Sequence, residues 1–284
     1  MTDRVVLLGT KGGPAIRKGS PMPTSSLLQL AGQSVVIDCG LGVTRGLADQ
    51  GFALKDLSAI VITHLHSDHY LELGPLIHTA WTAGLKTPVH VWGPSGLAGY
   101  WRGFLTSMAD DLAYRMQEEG RPDLSALVHI HGLETGQRLR IGKLELTTGQ
   151  SVHPPLTETF ALRFEGAGKV VVFSGDTARN PALADFARGA DLLVHEAMLA
   201  EGLEPLLARI GNGDDRLMAH WLRGHTLAHE AAAIARAAGA RALALHHLIP
   251  SDDPAFGPRV WHDCLRAHWE GPLHIGQDGL SIAL

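Results

Sequence analysis

Cysteine is scarce in this sequence. Only Cys39 and Cys264 occur among 284 residues. That is too few for a disulfide framework or a cysteine-rich zinc ribbon, so two thiols in a reducing compartment are expected. A basic surplus is also missing. Lys and Arg number 24 against 29 Asp and Glu, for a formal charge of −5, and no Lys/Arg cluster stands out. Nucleic-acid binders draw much of their affinity from neutralising phosphates, so a nucleic-acid partner is not expected. No stretch approaches the roughly 18 apolar residues of a membrane span. The short apolar run at residues 5–8 is interrupted by Gly9 and Lys11, and reads as a first strand rather than the apolar region of a secretory signal. A cytoplasmic protein without a membrane partner follows as the expectation. Linkers and low-complexity tracts are absent too, so nothing divides the chain.

What is present is a mixed pattern of short apolar runs and helical stretches across the whole length, with 45% apolar and 19% charged residues. Runs at 5–8, 26–30, 35–38, 58–63, 88–92, 138–147, 159–164, 170–174, 192–195 and 241–247 read as strands, bounded by Gly, Pro and Ser. The segments 71–83, 181–188 and 227–238 read as helices, the last with Thr226 as N-cap and Gly239 as C-cap. The pattern argues for one α/β domain over residues 1–284, with a helical insertion at about 95–130. Within that insertion Tyr100, Trp101, Phe104, Met108, Tyr114 and Met116 recur at spacings of three and four. The default reading is a core-facing stripe. The other reading is that this insertion, with Trp81, Trp92, Trp101 and Trp221, walls a compact pocket suited to a small, partly apolar ester.

Histidine is abundant, at 17 residues, and four potential metal ligands fall within six positions: His64, His66, Asp68 and His69. They follow the nearly continuous apolar run 58–63, as expected of a strand buried on both faces. A turn there lets His64 and His66 converge on one ion while Asp68 and His69 face a second. Imidazole and carboxylate are ligands that zinc accepts in catalytic sites, where one position stays open to water. A single histidine at a strand end would be unremarkable; four ligands at this spacing are not.

The signature resembles that of the metallo-β-lactamase superfamily. Further segments resemble its branch of tRNA 3′-processing endonucleases (RNase Z) and zinc arylsulfatases: LGTKGGP at 8–14, PTSSLL at 23–28, VIDCG at 36–40, FSGDT at 173–177, HEA at 195–197, GHT at 224–226 and LHHLIP at 245–250. The resemblance implies a four-layer αβ/βα sandwich with the metals at one edge, and commonly a homodimer. It also implies two divalent metal ions, most often Zn2+, although His/Asp ligation equally suits Mn2+ or Fe. His64, His66 and His153 would hold one ion, Asp68, His69 and His247 the other, and Asp176 would bridge them. Local features agree: His153 follows a strand and precedes two prolines, and Gly175 permits a tight turn before Asp176.

His246 and His247 end one strand and point to opposite faces, so periodicity does not choose between them. The family pattern selects His247 and leaves His246 to line the pocket. The implied reaction is hydrolysis of an ester by a metal-activated hydroxide. Asp68 would orient or accept the proton of the nucleophile. His225 would contact a substrate oxygen or protonate the leaving group, or else merely cap the following helix. Glu196 is expected to support a neighbouring histidine, and Asp38 to be a structural hydrogen-bonding residue.

One metal site serves many reactions. The tRNA endonucleases of this branch carry a long Gly/Pro- and Lys-rich arm after the third metal-binding histidine, whereas here only 23 residues separate His153 from Asp176. A small-molecule substrate is therefore expected, with an aryl sulfate, a phosphodiester or a lactone as candidates. tRNA 3′-processing and an iron-dependent oxidoreductase of the same superfamily are the alternatives. A metal-free scaffold is disfavoured because all seven ligand positions are filled.

Overall fold

Period-two alternation along the first strand sets the layers. Val5 and Leu7 join one apolar cluster, and Val6 and Leu8 join another on the opposite face. The computed structural model, described here over residues 2–210 and 214–284, contains fourteen strands among those residues. They are β1 (Arg4–Gly9), β2 (Ser25–Leu30), β3 (Gln33–Ile37), β4 (Ala59–Val61), β5 (Val89–Gly93), β6 (Val128–Gly132), β7 (Arg138–Ile141), β8 (Leu144–Gln150), β9 (Phe160–Gly166), β10 (Lys169–Phe173), β11 (Leu192–Met198), β12 (Leu243–Ile249), β13 (Leu273–Ile275) and β14 (Leu280–Ala283). They form two seven-stranded sheets, ordered β14-β1-β2-β3-β4-β5-β6 and β13-β12-β11-β10-β9-β8-β7. The helices are α1 (Val43–Asp49), α2 (Ser67–Tyr70), α3 (Leu73–Thr82), α4 (Leu97–Ser107), α5 (Ala109–Glu119), α6 (Leu124–Leu127), α7 (Ala182–Phe186), α8 (Leu203–Ile210), α9 (Arg216–Gly224), α10 (Ala228–Ala238) and α11 (Pro258–Leu265).

Leu28, Val61, Leu146, Phe164 and Phe173 fill the space between the sheets. Leu76, Ile77 and Trp81 of α3 cover the outer face of the first sheet, against Ile60 and Val91. Ala231, Ala235, Trp261 and Leu265, from α10 and α11, cover the second, against Leu193 and Leu245. The result is the expected four-layer α/β/β/α sandwich. Strands β3 to β6 run parallel in one sheet, and β10 to β13 in the other. Ligand sites in such sheets gather beyond the carboxyl ends of the parallel strands, and the residues singled out by the sequence lie there.

Several local expectations need correction. The run 138–147 is a hairpin, β7 and β8, turning at Gly142, whose φ is +58°. A left-handed residue closes such a two-residue turn, and glycine adopts it without a Cβ clash. Thr226 does not cap α10: Leu227 occupies that position, and the Thr226 hydroxyl donates instead to the Thr177 carbonyl at 2.6 Å. The insertion does not wall the pocket either. Trp101 and Leu97 of α4 and Leu112 of α5 pack into the core of the first outer layer, beside the fully buried Trp81.

Candidate metal centre

The chain leaves β4 at Val61 and enters a loop holding Thr63, His64 and His66; α2 then presents Asp68 and His69 in its only turn. His153 follows β8, Asp176 follows β10, and His247 lies within β12. All seven predicted ligand positions converge. Ligand atoms of His64, His66, His153 and Asp176 lie within 4.8 Å of one another, as do those of Asp68, His69 and His247.

Asp176 joins the two groups. Its Oδ2 is 3.0 Å from His247 Nε2, 3.3 Å from His69 Nε2, 3.6 Å from His64 Nε2 and 3.9 Å from His153 Nε2. His66 Nδ1 is 3.2 Å from His64 Nε2 and 3.0 Å from His153 Nε2. Donors about 2.0–2.1 Å from a shared ion, set at tetrahedral angles, lie about 3.4 Å apart. The observed spacings suit that geometry. Among the described residues the buried His69 Nε2 and Asp176 Oδ1 have no hydrogen-bond partner, so a cation would satisfy groups that are otherwise costly to bury.

The other ring nitrogens are held from outside. His69 Nδ1 donates to Asp38 Oδ2 at 2.8 Å. The Thr63 hydroxyl donates to the same carboxylate at 2.9 Å and accepts from His64 Nδ1 at 3.1 Å. One buried aspartate thus aims a histidine of each group into the site. His153 Nδ1 donates to the Gly224 carbonyl at 2.7 Å, and a Cβ on Gly224 would lie 3.0 Å from that ring. Glu196 Oε1 accepts from His225 Nδ1 at 3.1 Å and from the Thr177 and Thr226 amides. It supports His225 rather than one of the seven predicted ligands.

His247 sits in a bulge. Leu245 and Leu248 both pack on the outer face of the second sheet although they are three residues apart. The pairing register with β11 slips between Glu196 and Ala197, and His247 has φ +46°. The extra residue is turned out of the strand, as bulges beside functional sites do. His246, in regular register, is buried, finds no partner for either ring nitrogen among the described residues and does not line the cavity, which corrects the expectation for it.

The electrostatics favour a cation. Burial opposes ionisation of Asp68 and Asp176, but adjacent His69 and His247 outweigh it and hold both carboxyls well below the usual range. Burial likewise disfavours charge on His247, yet the two carboxylates push it up to about 10. His153, more distant from the carboxylates, follows its burial down to about 4. A metal ion would supply the positive charge that the carboxylates otherwise draw onto imidazoles.

A cavity of about 340 Å³ opens onto the site. It is lined by His66, Asp68, Asp176, His225 and His247 of the site, by Lys11 and Arg17, and by Leu206, Leu217 and Trp221. Its helical wall is therefore α8 and α9, which sequence reasoning missed. His220 was missed as well. Its ring lies 5.7 Å from that of His153 and 5.8 Å from those of His66 and His225. The signal was present in α9: Leu217, Trp221 and Gly224 form one stripe, with His220 beside it.

This fold and this convergence of histidines and aspartates define a metallo-β-lactamase superfamily hydrolase. The structure resembles the metallo-beta-lactamase fold protein YhfI from Bacillus subtilis (TM-score 0.71, 22% identity, 99% of each chain covered). It also resembles human tRNase Z, short form (TM-score 0.66, 18% identity, 99% of this chain and 98% of that one). A curated relative from Mycobacterium sp. (strain KMS), named Ribonuclease Z, is 33% identical over 255 residues, covering 88% of this chain and 85% of its own. The chain belongs to the family described as Anti-Pycsar protein Apyc1, whose model matches residues 4–208.

Proposed function

We propose that the protein is a dinuclear metal-dependent hydrolase of a small-molecule ester, with a phosphodiester ahead of an aryl sulfate or a lactone. The observation that carries this reading is Asp176 Oδ2 standing between two ligand groups of the right composition. His64, His66 and His153 would hold one ion, Asp68, His69 and His247 the second, and Asp176 both. When bound, two divalent cations lower the pKa of a water and polarise the ester's electrophilic centre.

The chain's own groups supply the rest. Asp68 Oδ2 is fixed by the Gly13 amide at 2.8 Å, so its carboxylate is positioned to accept or orient the proton of the attacking water. His225, anchored through Nδ1 to Glu196, turns its other nitrogen to the cavity, where it donates to a substrate oxygen or to the leaving group. The relatives named Ribonuclease Z favour a phosphodiester, and the size of the cavity favours a small one.

Those same relatives support a second reading, cleavage of precursor tRNA by the same residues, and they weaken the charge-based argument against a nucleic-acid substrate. Against it, the chain between His153 and Asp176 forms only a turn and the hairpin β9–β10. The test is elemental analysis together with hydrolysis of an aryl phosphodiester, an aryl sulfate, a lactone and a precursor tRNA, before and after chelation. Two zinc or manganese ions per chain and chelator-sensitive cleavage of a small ester are expected. Activity on precursor tRNA alone would reverse the choice.

A further inference from the structure

The lining of the cavity is of two kinds, and the combination specifies a substrate. Part of it is apolar: Leu206, Leu217 and Trp221 belong to a small cluster on α8 and α9. Part of it is cationic, with two basic residues. Arg17 is committed to Asp252 at 2.9 Å, a carboxylate that Arg209 also contacts at 3.3 Å. Lys11 is different. The residue is 4% exposed, and its ammonium donates to the carbonyls of Gly12 at 2.7 Å and Gly13 at 3.1 Å. Among the described residues no carboxylate pairs with it. The carboxylates of Asp252 and Asp68 are near enough to favour its charge without contacting it, and of its three donors only two are used.

The segment is also held rigidly against the metal centre. Lys11 N donates to the Met22 carbonyl, Gly12 N to the Leu248 carbonyl and Gly13 N to Asp68. A Cβ on Gly12 would meet the His247 ring at 3.0 Å. Lys11 is thus tied through its neighbours to Asp68 and His247 of the metal centre.

We propose that Lys11 determines specificity by binding an oxyanion on the part of the substrate that is not cleaved, while Trp221 and Leu217 hold a flat apolar group. The substrate class is then a small phosphoester whose aromatic portion carries a second negative charge. This rests on the phosphodiester reading above, but its test does not require turnover. Phenylphosphonate and 4-carboxyphenylphosphonate, neither of which is hydrolysed, are titrated into the metal-loaded protein by calorimetry.

The expected result is that the carboxylated ligand binds about tenfold tighter or better, as a charge-assisted hydrogen bond allows. That preference should disappear in both Lys11→Met and Lys11→Gln at unchanged metal content, while Trp221→Ala weakens both ligands alike. No preference in the wild-type protein would overturn the proposal. So would variants that keep the preference while losing metal or melting temperature, which would make Lys11 a structural clamp for its loop. An intact preference without phosphodiesterase activity would instead sink the proposed reaction and leave the Lys11 site standing.

Discussion

Replacing Asp38 by asparagine tests whether one buried carboxylate organises both halves of the metal centre. The residue is 1% exposed, has φ +60°, and accepts from the Thr63 amide at 2.8 Å, the Thr63 hydroxyl at 2.9 Å and His69 Nδ1 at 2.8 Å. Asparagine has the same shape and tolerates the left-handed conformation, so the fold should survive. It replaces one acceptor oxygen by a donor and removes the negative charge. His69 and the Thr63–His64 pair must then share one remaining oxygen, and the lost charge weakens the hold on both rings, so that each is freer to rotate or change tautomer. Partners of this kind are worth about 10–100-fold in metal affinity, or about 1.4–2.7 kcal/mol. Competition with a chromophoric chelator should show weakened binding of both ions, and excess metal should restore much of the activity. Unchanged affinity at both sites would refute the argument. Loss confined to one ion would show that only His69, or only the His64 branch, depends on Asp38.

Other outcomes follow from the same geometry. Asp68→Ala should abolish turnover and leave the far-ultraviolet circular dichroism intact; near wild-type hydrolysis would remove the proton-handling role. Gly12→Ala places a Cβ 2.5 Å from Ile249 Cγ1 and 3.0 Å from the His247 ring, so metal content should fall from two ions towards one, which elemental analysis reads directly. Trp81→Ala empties a fully buried site and strands the Pro122 carbonyl that its indole N–H contacts at 2.9 Å; urea unfolding should register a loss of about 3–5 kcal/mol with ligand affinities unchanged. Chelation should lower the melting temperature as well as activity, since ions bound only by the folded chain stabilise it.

The parts of the site that were legible in the sequence are those set by short-range spacing. His64, His66, Asp68 and His69 are local, and their chemistry is visible without the fold. His153, Asp176 and His247 lie far along the chain, and only resemblance connected them. Alternation could not choose His247 over His246, because the bulge arises from the register against β11. The alternative that made the insertion a cavity wall failed for a related reason. Aromatic residues at helical spacing mark a stripe but not what it faces: Trp81 and Trp101 face the core, as the default reading had it for Trp101, whereas Tyr114 and Met116 are exposed. Trp221 does reach the cavity, on a helix whose position depends on β11 and β12 rather than on its own pattern. The hairpin at Gly142 was readable, since a Gly-Lys pair between apolar runs is a turn signal.

Two turns at strand ends and one bulge share a backbone conformation that explains why the site lies where the sheets meet. Asp38 after β3, Gly175 after β10 and His247 within β12 all have positive φ: +60°, +58° and +46°. Glycine is the only option at 175, where a Cβ would lie 2.7 Å from the Phe160 carbonyl oxygen. The other two positions bear side chains despite the cost of that conformation. After β3 and β10 the chain bends at the carboxyl end of a parallel strand, and within β12 a bulge turns one residue out of a strand that continues to Ile249, so that Asp38, Asp176 and His247 leave the plane of their sheets. Strain of this sort persists only where the surroundings over-determine it. Here the surroundings are the hydrogen bonds from Thr63 to Asp38 and the Leu245 and Leu248 contacts that flank His247. Packing of the two sheets therefore fixes the polar site and the directions in which its donors point.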